Sequence, residues 1–169
     1  MRLADCAISM SDTIRAIECV VNPITPEIMR LRPAWTKGFW QDKFGRDSGI
    51  AAGLSHVQML DLMDRAGIER AFLVATKTGQ LGIPGSWHLP YEIVAAAVQC
   101  HPDRFSGLAG LDPTEGMNGV RALEHAVREY GFIGAHFYPH WFELAPDHAR
   151  WYPFYAKCVE LDVPVQLQV

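Results

Sequence analysis

The side chains best suited to chemistry lie close together near the end of the chain, in the run HFYPHW. His136 and His140 are four residues apart, with Tyr138 midway between them and Trp141 directly after. Residues two apart in a strand share a face, so His136 and Tyr138 point the same way, and Pro139 ends regular pairing before His140. Imidazoles so placed can polarise a carbonyl group, bind a carboxylate or move a proton near neutral pH. Alternatively, they cap loop carbonyls beside Trp141.

Three further side chains follow predicted strands. Asp112 could act as a base or a ligand, although its run Asp-Pro-Thr-Glu is equally a good helix-initiating turn. Lys77 could hold an anionic substrate or be a solvated loop residue. Trp87 lies in the run ATKTGQLGIPGSWHLP, which lacks both the Lys-Ser/Thr of a P-loop and a compact GxGxxG. That run therefore favours a mobile loop carrying Trp87 and His88 over a phosphate cradle.

Strands and helices that position these residues alternate along the chain. Apolar, β-branched runs predict strands, and helical spacing with caps predicts helices. The predicted strands cover Thr13–Val21, Arg70–Ala75, Phe105–Leu111, Phe132–Tyr138 and Val163–Val169, and the predicted helices cover Ser55–Ala66, Pro90–Gln99, Glu115–Tyr130 and Trp151–Leu161. This order predicts an α/β fold with a parallel sheet, right-handed crossovers and both faces covered.

The connections between these elements are uneven in length. Helix-to-strand links are short, whereas most strand-to-helix links are long, the longest being residues 22–54. Parallel α/β proteins build their sites at the carboxyl ends of strands, so any site is expected on that rim. Within the longest link, the aromatic and basic run LRPAWTKGFWQDKF has no clear periodicity and fits either a lid or an oligomer contact.

Composition excludes several classes of function. The net charge of −4 argues against nucleic-acid and anionic-membrane partners. No run of 18 apolar residues is present, so no transmembrane helix is expected, and the first dozen residues do not resemble a signal peptide. The four cysteines are scattered without a CxxC pair, which predicts reduced thiols and a cytoplasmic location.

From Gly107 to the end, the chain resembles the amidohydrolase-related family, whose decarboxylase branch includes aminocarboxymuconate-semialdehyde decarboxylase. The shared features are the strand FSGLAGL, an acidic amphipathic helix, GFIG before a Pro-His-rich rim, YPFY ahead of a helix, and LDVPV before a strand. The run RAGIERAFLVA is similar to the family's first helix-to-strand passage. The resemblance implies a TIM-type (β/α)8 barrel. Residues 1–169 would be its N-terminal part, an incomplete barrel with the first five strands only and a long loop or lid at 23–54.

The resemblance also implies one divalent metal, zinc or manganese, that activates water or polarises the substrate. The family's strand-one ligands fall here on either Val20 and Asn22 or Glu18 and Val20, and its strand-five histidine is replaced by Gln168. Valine cannot bind a metal and glutamine is a poor zinc ligand, so the metal site in this segment is expected to be degenerate.

The function implied is that of a hydrolase or non-oxidative decarboxylase (carboxy-lyase) acting on a small carboxylated compound, aromatic compounds included. His136, His140 and Asp112 would be catalytic, and Lys77, Tyr138, Trp141 and Trp87 would bind substrate. The alternative is a degenerate barrel that binds a small molecule or serves as a subunit without catalysis. A free-standing flavodoxin-like domain is a third reading. A homo-oligomer is left open, and five strands suggest a piece of a longer protein of about 300 residues.

Overall fold

The computed structural model describes residues 15–44 and 52–168 of the 169-residue chain. Cys6, Thr13 at the start of the first predicted strand, residues 45–51 of the long loop and Val169 lie outside the described residues. The strands are β1 (Ala16–Val21), β2 (Ile68–Ala75), β3 (Lys77–Thr78), β4 (Trp87–His88), β5 (Phe105–Gly110), β6 (Gly134–Phe137) and β7 (Val165–Leu167). The α-helices are α1 (Pro26–Leu31), α2 (Ala34–Phe44), α3 (His56–Arg65), α4 (Tyr91–Cys100), α5 (Met117–Tyr130) and α6 (Tyr152–Glu160).

Five of the strands form one sheet in the order β1-β2-β5-β6-β7, and every neighbouring pair is parallel. The sheet is curled, which brings its first and last strands together: Gln166 Nε2 on β7 donates to the Cys19 carbonyl on β1 at 3.2 Å. A helix follows each of the first four sheet strands before the next one begins. This confirms the predicted α/β class and the incomplete barrel of the TIM type, with its first five strands.

The two faces of the sheet have different surroundings. Leu73 and Phe137 lie on the helix side, where the Phe137 ring is 4.4 Å from the Trp151 ring and Trp151 is fully buried. His136 and Tyr138 alternate with Phe137 and therefore face the inside of the curl. Burying each large apolar side chain stabilises the fold by about 1.5–3 kcal/mol, so the helical layer fixes which face each strand turns inward.

Caps predicted from the sequence are present at the start of α3 and at the end of α5, whereas α5 begins at Met117 and not at Glu115, which lies in a 3-10 turn. The Ser55 hydroxyl accepts from Gln58 N and the Gln58 side chain accepts from Ser55 N, the reciprocal arrangement of a capping box. Helix α5 ends at Gly131, which has the left-handed φ of +68° that glycine adopts without steric cost. Both signals are local, which is why sequence alone revealed them.

The long connections contain more structure than predicted. Residues 23–54 include α1, which begins at Pro26 and is capped by the Thr25 hydroxyl, and α2, which follows directly. Residues 76–89 include the antiparallel hairpin of β3 and β4. Periodicity did not reveal α2 because its apolar residues form no continuous stripe. Whether the segment acts as a lid stays a prediction.

Among the described residues, no helix is both long enough and apolar enough to cross a bilayer.

Gly110 is required where β2 and β5 come closest. A Cβ built there would overlap the Ala75 carbonyl oxygen and lie 2.9 Å from Lys77 N, both of which are backbone atoms. We expect Gly110→Ala to lower the free energy of unfolding by about 2–3 kcal/mol, as overpacking of a rigid core does. Urea denaturation measures this.

The matched control is Gly38→Ala in α2, where a Cβ meets no atom within 4 Å. Because alanine favours a helix, that variant should be neutral or more stable by about 0.5–1 kcal/mol. Equal stability of the two variants would contradict the close approach.

Candidate functional site

A cavity of about 360 Å³ opens at the carboxyl ends of the sheet strands. Its wall is formed by the ends of β1, β2, β6 and β7, by α2 and the residue Arg32 before it, by the β3–β4 hairpin and by the turn that carries His140 and Trp141. Its lining residues are Asn22, Arg32, Trp35, Thr36, Phe39, Thr76, Thr78, Trp87, Tyr138, His140, Trp141 and Gln168. The cavity therefore lies on the rim that the uneven connections predicted.

Asn22 ties three strand ends together. Its Oδ1 accepts from the Thr76 hydroxyl at 2.7 Å and from the Tyr138 hydroxyl at 3.4 Å. Burial raises the pKa of Tyr138, and interactions with Asn22, Thr76 and Arg32 partly oppose that rise. The phenol is therefore protonated at neutral pH, so the floor of the cavity offers neutral hydrogen-bonding groups.

Aromatic rings form one wall of the cavity. Trp35 of α2 stacks on Trp141 with 5.5 Å between ring centroids and 30° between planes. Trp35 Nε1 also donates to the Gly85 carbonyl at 3.1 Å. His140 is exposed, and the centroid of its ring lies 6.2 Å from that of Trp141. These contacts join α2 to the rim loops, so a planar ligand would meet flat apolar surfaces.

Arg32 brings positive charge to this cavity. Its guanidinium carbon lies 4.4 Å from the centroid of the Trp87 ring, within cation–π distance, and its Nη2 donates to the Pro23 carbonyl at 3.1 Å. Desolvation by burial lowers the pKa of Arg32 to about 10, opposed by the nearby Tyr138. The guanidinium remains charged at neutral pH.

His136 lies beneath the cavity floor and is completely buried. Its ring is 4.5 Å from that of Tyr138. Neither ring nitrogen makes a hydrogen bond of normal geometry with a described residue, although Gln168 is close enough to favour the protonated form slightly. Desolvation lowers the pKa of His136 to about 4. The imidazole is therefore neutral at pH 7, which suits a hydrogen-bond donor or acceptor.

The β3–β4 hairpin separates this cavity from a cluster of charged side chains. Thr78 pairs with Trp87 and faces the cavity, whereas Lys77 pairs with His88 and faces the other way. Lys77 Nζ is 2.6 Å from a carboxylate oxygen of Glu115. His88 lies 3.4 Å from the carboxylate of Asp112 and 3.7 Å from that of Glu115.

Asp112 has a structural role within this cluster. Its Oδ1 accepts from both the backbone N and the hydroxyl of Thr114 at 2.7 Å each, which begins a 3-10 turn over Pro113–Glu115. Burial is the main cause that lowers the pKa of His88, and Lys77 lowers it further, while the Gly79 carbonyl and the two carboxylates raise it. His88 is therefore neutral at pH 7.

Of the three predicted metal positions, Asn22 and Gln168 line the cavity and Glu18 does not. Val21 packs on the helix side, so Asn22 faces the cavity and the pair that falls on the family positions is Val20 and Asn22. The Glu18 carboxylate accepts from Val20 N at 3.2 Å. An aliphatic chain and two neutral amides are a poor ligand set for a divalent metal, so these positions do not fit the metal that the family resemblance implies.

The structure thus sorts the predicted site residues into three groups. Tyr138, His140, Trp141 and Trp87 line the cavity with His136 beneath them; Lys77 and Asp112 join the charged cluster; Glu18 lies apart. Sequence reasoning missed Arg32, Trp35, His88 and Glu115 as site residues. His88 had a usable signal, since it lies in a glycine-rich loop after a buried strand.

The amidohydrolase family sequence profile matches residues 48–169 of the chain, which is most of its length. The chain belongs to the amidohydrolase family. The resemblance noted in the run RAGIERAFLVA and from Gly107 onward is thereby confirmed, since both stretches lie within the matched residues.

One curated relative of the chain, from Sphingobium sp., is 2-keto-4-carboxy-3-hexenedioate hydratase. It is 35% identical over 109 residues, which cover 59% of this chain and 32% of the hydratase. The chain thus spans about a third of the length of this relative, and about half the length of the solved structures it matches.

Solved structures share the fold. The 5-carboxyvanillate decarboxylase of Novosphingobium aromaticivorans, solved with bound manganese and 3-methoxy-4-hydroxy-5-nitrobenzoic acid, superposes with a TM-score of 0.65 at 23% identity. That match covers 88% of this chain and 49% of the decarboxylase. The 4-oxalomesaconate hydratase of Rhodopseudomonas palustris superposes at 0.58 with 24% identity, covering 92% of this chain and 52% of the hydratase.

Burial of neutral His136 makes stability depend on pH. Its folded pKa of about 4 lies below its ordinary value of 6.5, so the unfolded chain binds the proton more readily between these values. The stability that neutral His136 gives the folded state is fully present above pH 6.5. As the pH falls toward 4, the free energy of unfolding decreases by about 3 kcal/mol in all. We expect wild type to lose about that much more unfolding free energy than His136→Leu between pH 7 and pH 4.

Urea denaturation at each pH measures this difference. Parallel pH profiles for the two proteins would show that His136 is protonated as easily in the folded state as in the unfolded one.

Proposed function

We propose that the chain forms the substrate-binding rim of an amidohydrolase-family enzyme, a hydrolase, hydratase or non-oxidative decarboxylase, that acts on a small carboxylated compound, aromatic compounds included. The observation that carries this proposal is the Arg32 guanidinium, held over Trp87 in a cavity lined by aromatic rings. A partly desolvated guanidinium is the side chain best suited to bind a carboxylate, since it donates two parallel hydrogen bonds.

The lining defines how such a ligand would lie. Its carboxylate would pair with Arg32, and its planar part would lie against Trp35 and Trp141, which already stack on each other. The hydroxyl and amide groups of Tyr138 and Gln168 would meet polar substituents. A volume of about 360 Å³ accommodates a single ring or a short branched chain with its carboxyl groups.

The relatives support this substrate class. The compounds in the names of the hydratase and of the 5-carboxyvanillate decarboxylase both carry carboxyl groups, and a third matching structure is 2,6-dihydroxybenzoate decarboxylase complexed with 2,6-dihydroxybenzoate. These names span water addition and loss of CO2. They therefore support the proposed class of substrate more strongly than any one of the three reactions.

Three predicted catalytic residues receive different proposed roles. His140, exposed at the cavity wall, is placed to give or take a proton from a bound ligand. Buried His136 would act as a neutral positioning group beneath Tyr138. Asp112 would act indirectly by fixing the hairpin that carries Trp87. Because Asn22, Val20 and Gln168 do not suit a metal, we assign none of these roles to a metal at the family positions.

A non-catalytic binding role is the second candidate. It is favoured by the neutral and aliphatic residues at the positions where the family's metal ligands are expected. Such a protein would retain the carboxylate pocket but carry out no reaction. Turnover separates the two candidates, because both predict binding.

The Arg32 proposal is tested by calorimetric titration with 2,6-dihydroxybenzoate in the presence of EDTA. We expect Arg32→Met to weaken binding about 10- to 100-fold, the loss typical of a charge-assisted hydrogen bond, and Arg32→Lys to weaken it less. Resorcinol, the same ring without the carboxylate, should bind weakly to all variants.

Arg30→Met is the matched control, since Arg30 lies in the last turn of α1, two residues before Arg32, but outside the cavity lining. Equal losses for Arg30→Met and Arg32→Met would indicate a general charge effect and contradict the pocket. With a carboxylic-acid panel, CO2 release, hydrolysis or hydration supports the enzyme, whereas Arg32-dependent binding without turnover supports the second candidate.

A further inference from the structure

We propose a second site in this chain: His88, Asp112 and Glu115 bind one divalent cation on the side of the β3–β4 hairpin that faces away from the carboxylate pocket, and Lys77 competes with that cation. The site is distinct from the family's metal positions at Val20, Asn22 and Gln168. It does not depend on the proposed carboxylate function.

The ligand atoms already converge. One atom from each of the three side chains lies within 4.8 Å of the others. Nitrogen and oxygen ligands of zinc bind at about 2.0–2.2 Å, so two ligands of one ion are separated by at most about 4.4 Å. Small side-chain rotations therefore suffice to bring all three ligands onto a single ion.

Backbone contacts orient the two most buried ligands. His88 Nε2 lies 2.9 Å from the Gly79 carbonyl, so Nε2 carries the proton and Nδ1 keeps its lone pair. Asp112 Oδ1 is held by two donors of Thr114, which leaves Oδ2 free, 3.4 Å from His88 Nε2, while His88 Nδ1 lies 3.7 Å from Glu115 Oε1. An imidazole that donates to a carbonyl and a carboxylate fixed by neighbouring donors are the supports that metal ligands usually have.

The charge of the cluster also favours a cation. It contains two carboxylates, from Asp112 and Glu115, but only one ammonium, from Lys77, so the carboxylates carry one negative charge that lysine does not compensate. Only 1% of the Asp112 side chain and 26% of the Glu115 side chain are exposed. Solvent therefore screens that charge poorly, and the cost of burying it is high.

Lys77 shows that this place stabilises a positive charge. Its Nζ lies 2.6 Å from Glu115 while only 9% of its side chain is exposed. The Lys77 ammonium is also 5.0 Å from the centroid of the Tyr91 ring. If a metal bound the Glu115 carboxylate, the ammonium would keep this cation–π contact. Lysine and metal would thus be alternative occupants.

Open space lies next to the residues that support the site. A second cavity of about 560 Å³ is lined by Gly79, Ser86 and Thr114, two of which contact the ligands His88 and Asp112 directly. With three protein ligands and space for water, the ligand set of one imidazole and two carboxylates suits zinc or manganese.

Manganese titration followed by electron paramagnetic resonance tests this proposal on the full chain after EDTA treatment. We expect one Mn²⁺ bound per chain. Asp112→Asn and His88→Gln should each weaken binding at least 10-fold, whereas Lys77→Met should tighten it about 10-fold or more because the competing ammonium is gone. Asn22→Ala and Gln168→Ala are the controls and should bind as wild type does.

Three results would overturn the proposal. The first is that neither wild type nor Lys77→Met binds Mn²⁺, and the second is that Lys77→Met binds Mn²⁺ no more tightly than wild type does. The third is that Asn22→Ala or Gln168→Ala loses Mn²⁺ binding. The first would show a lysine ion pair alone, and the last would place the metal at the family positions. Circular dichroism confirms that each variant is folded. Failure here leaves the carboxylate titration untouched, because that titration is done in EDTA.

Discussion

Parallel pairing of the five sheet strands is the constraint on which the site depends. When every strand runs the same way, all carboxyl ends meet at one edge, and the side chains that follow the strands must share that edge. Asn22, Thr76 and Tyr138 come from three different strand ends and meet through one carboxamide oxygen. The helical layer enforces the arrangement, since burying Phe137 against Trp151 turns His136 and Tyr138 inward.

The β3–β4 hairpin has only two residues in each strand, and successive side chains point to opposite faces. The rim therefore has two chemically different sides. Thr78 and Trp87 complete an aromatic cavity with a guanidinium, while Lys77 and His88 enter a cluster with Asp112 and Glu115. A slip of one residue in the pairing would exchange the two faces and bring the ammonium into the aromatic cavity. The hairpin thereby separates the aromatic cavity with its guanidinium from the charged cluster, although the two lie side by side.

Features encoded by neighbouring residues were predictable, and those that depend on distant contacts were not. The Ser55–Gln58 capping box, Gly131 after α5 and the shared face of His136 and Tyr138 can all be read from short spacings. The position of Arg32 could not, because it depends on contact with Trp87, far along the chain. The choice between Glu18 and Asn22 needed coordinates, since the pairing of β1 with β2 is irregular between Glu18 and Val21.

A crystal structure with 2,6-dihydroxybenzoate would show whether the rim binds a carboxylate through Arg32 among aromatic rings. We expect density for the ring beside Trp35 and Trp141, with the carboxylate within hydrogen-bonding distance of the Arg32 guanidinium. Density with the carboxylate turned away from Arg32, or a ligand bound elsewhere while this cavity stays empty at saturating concentration, would contradict it.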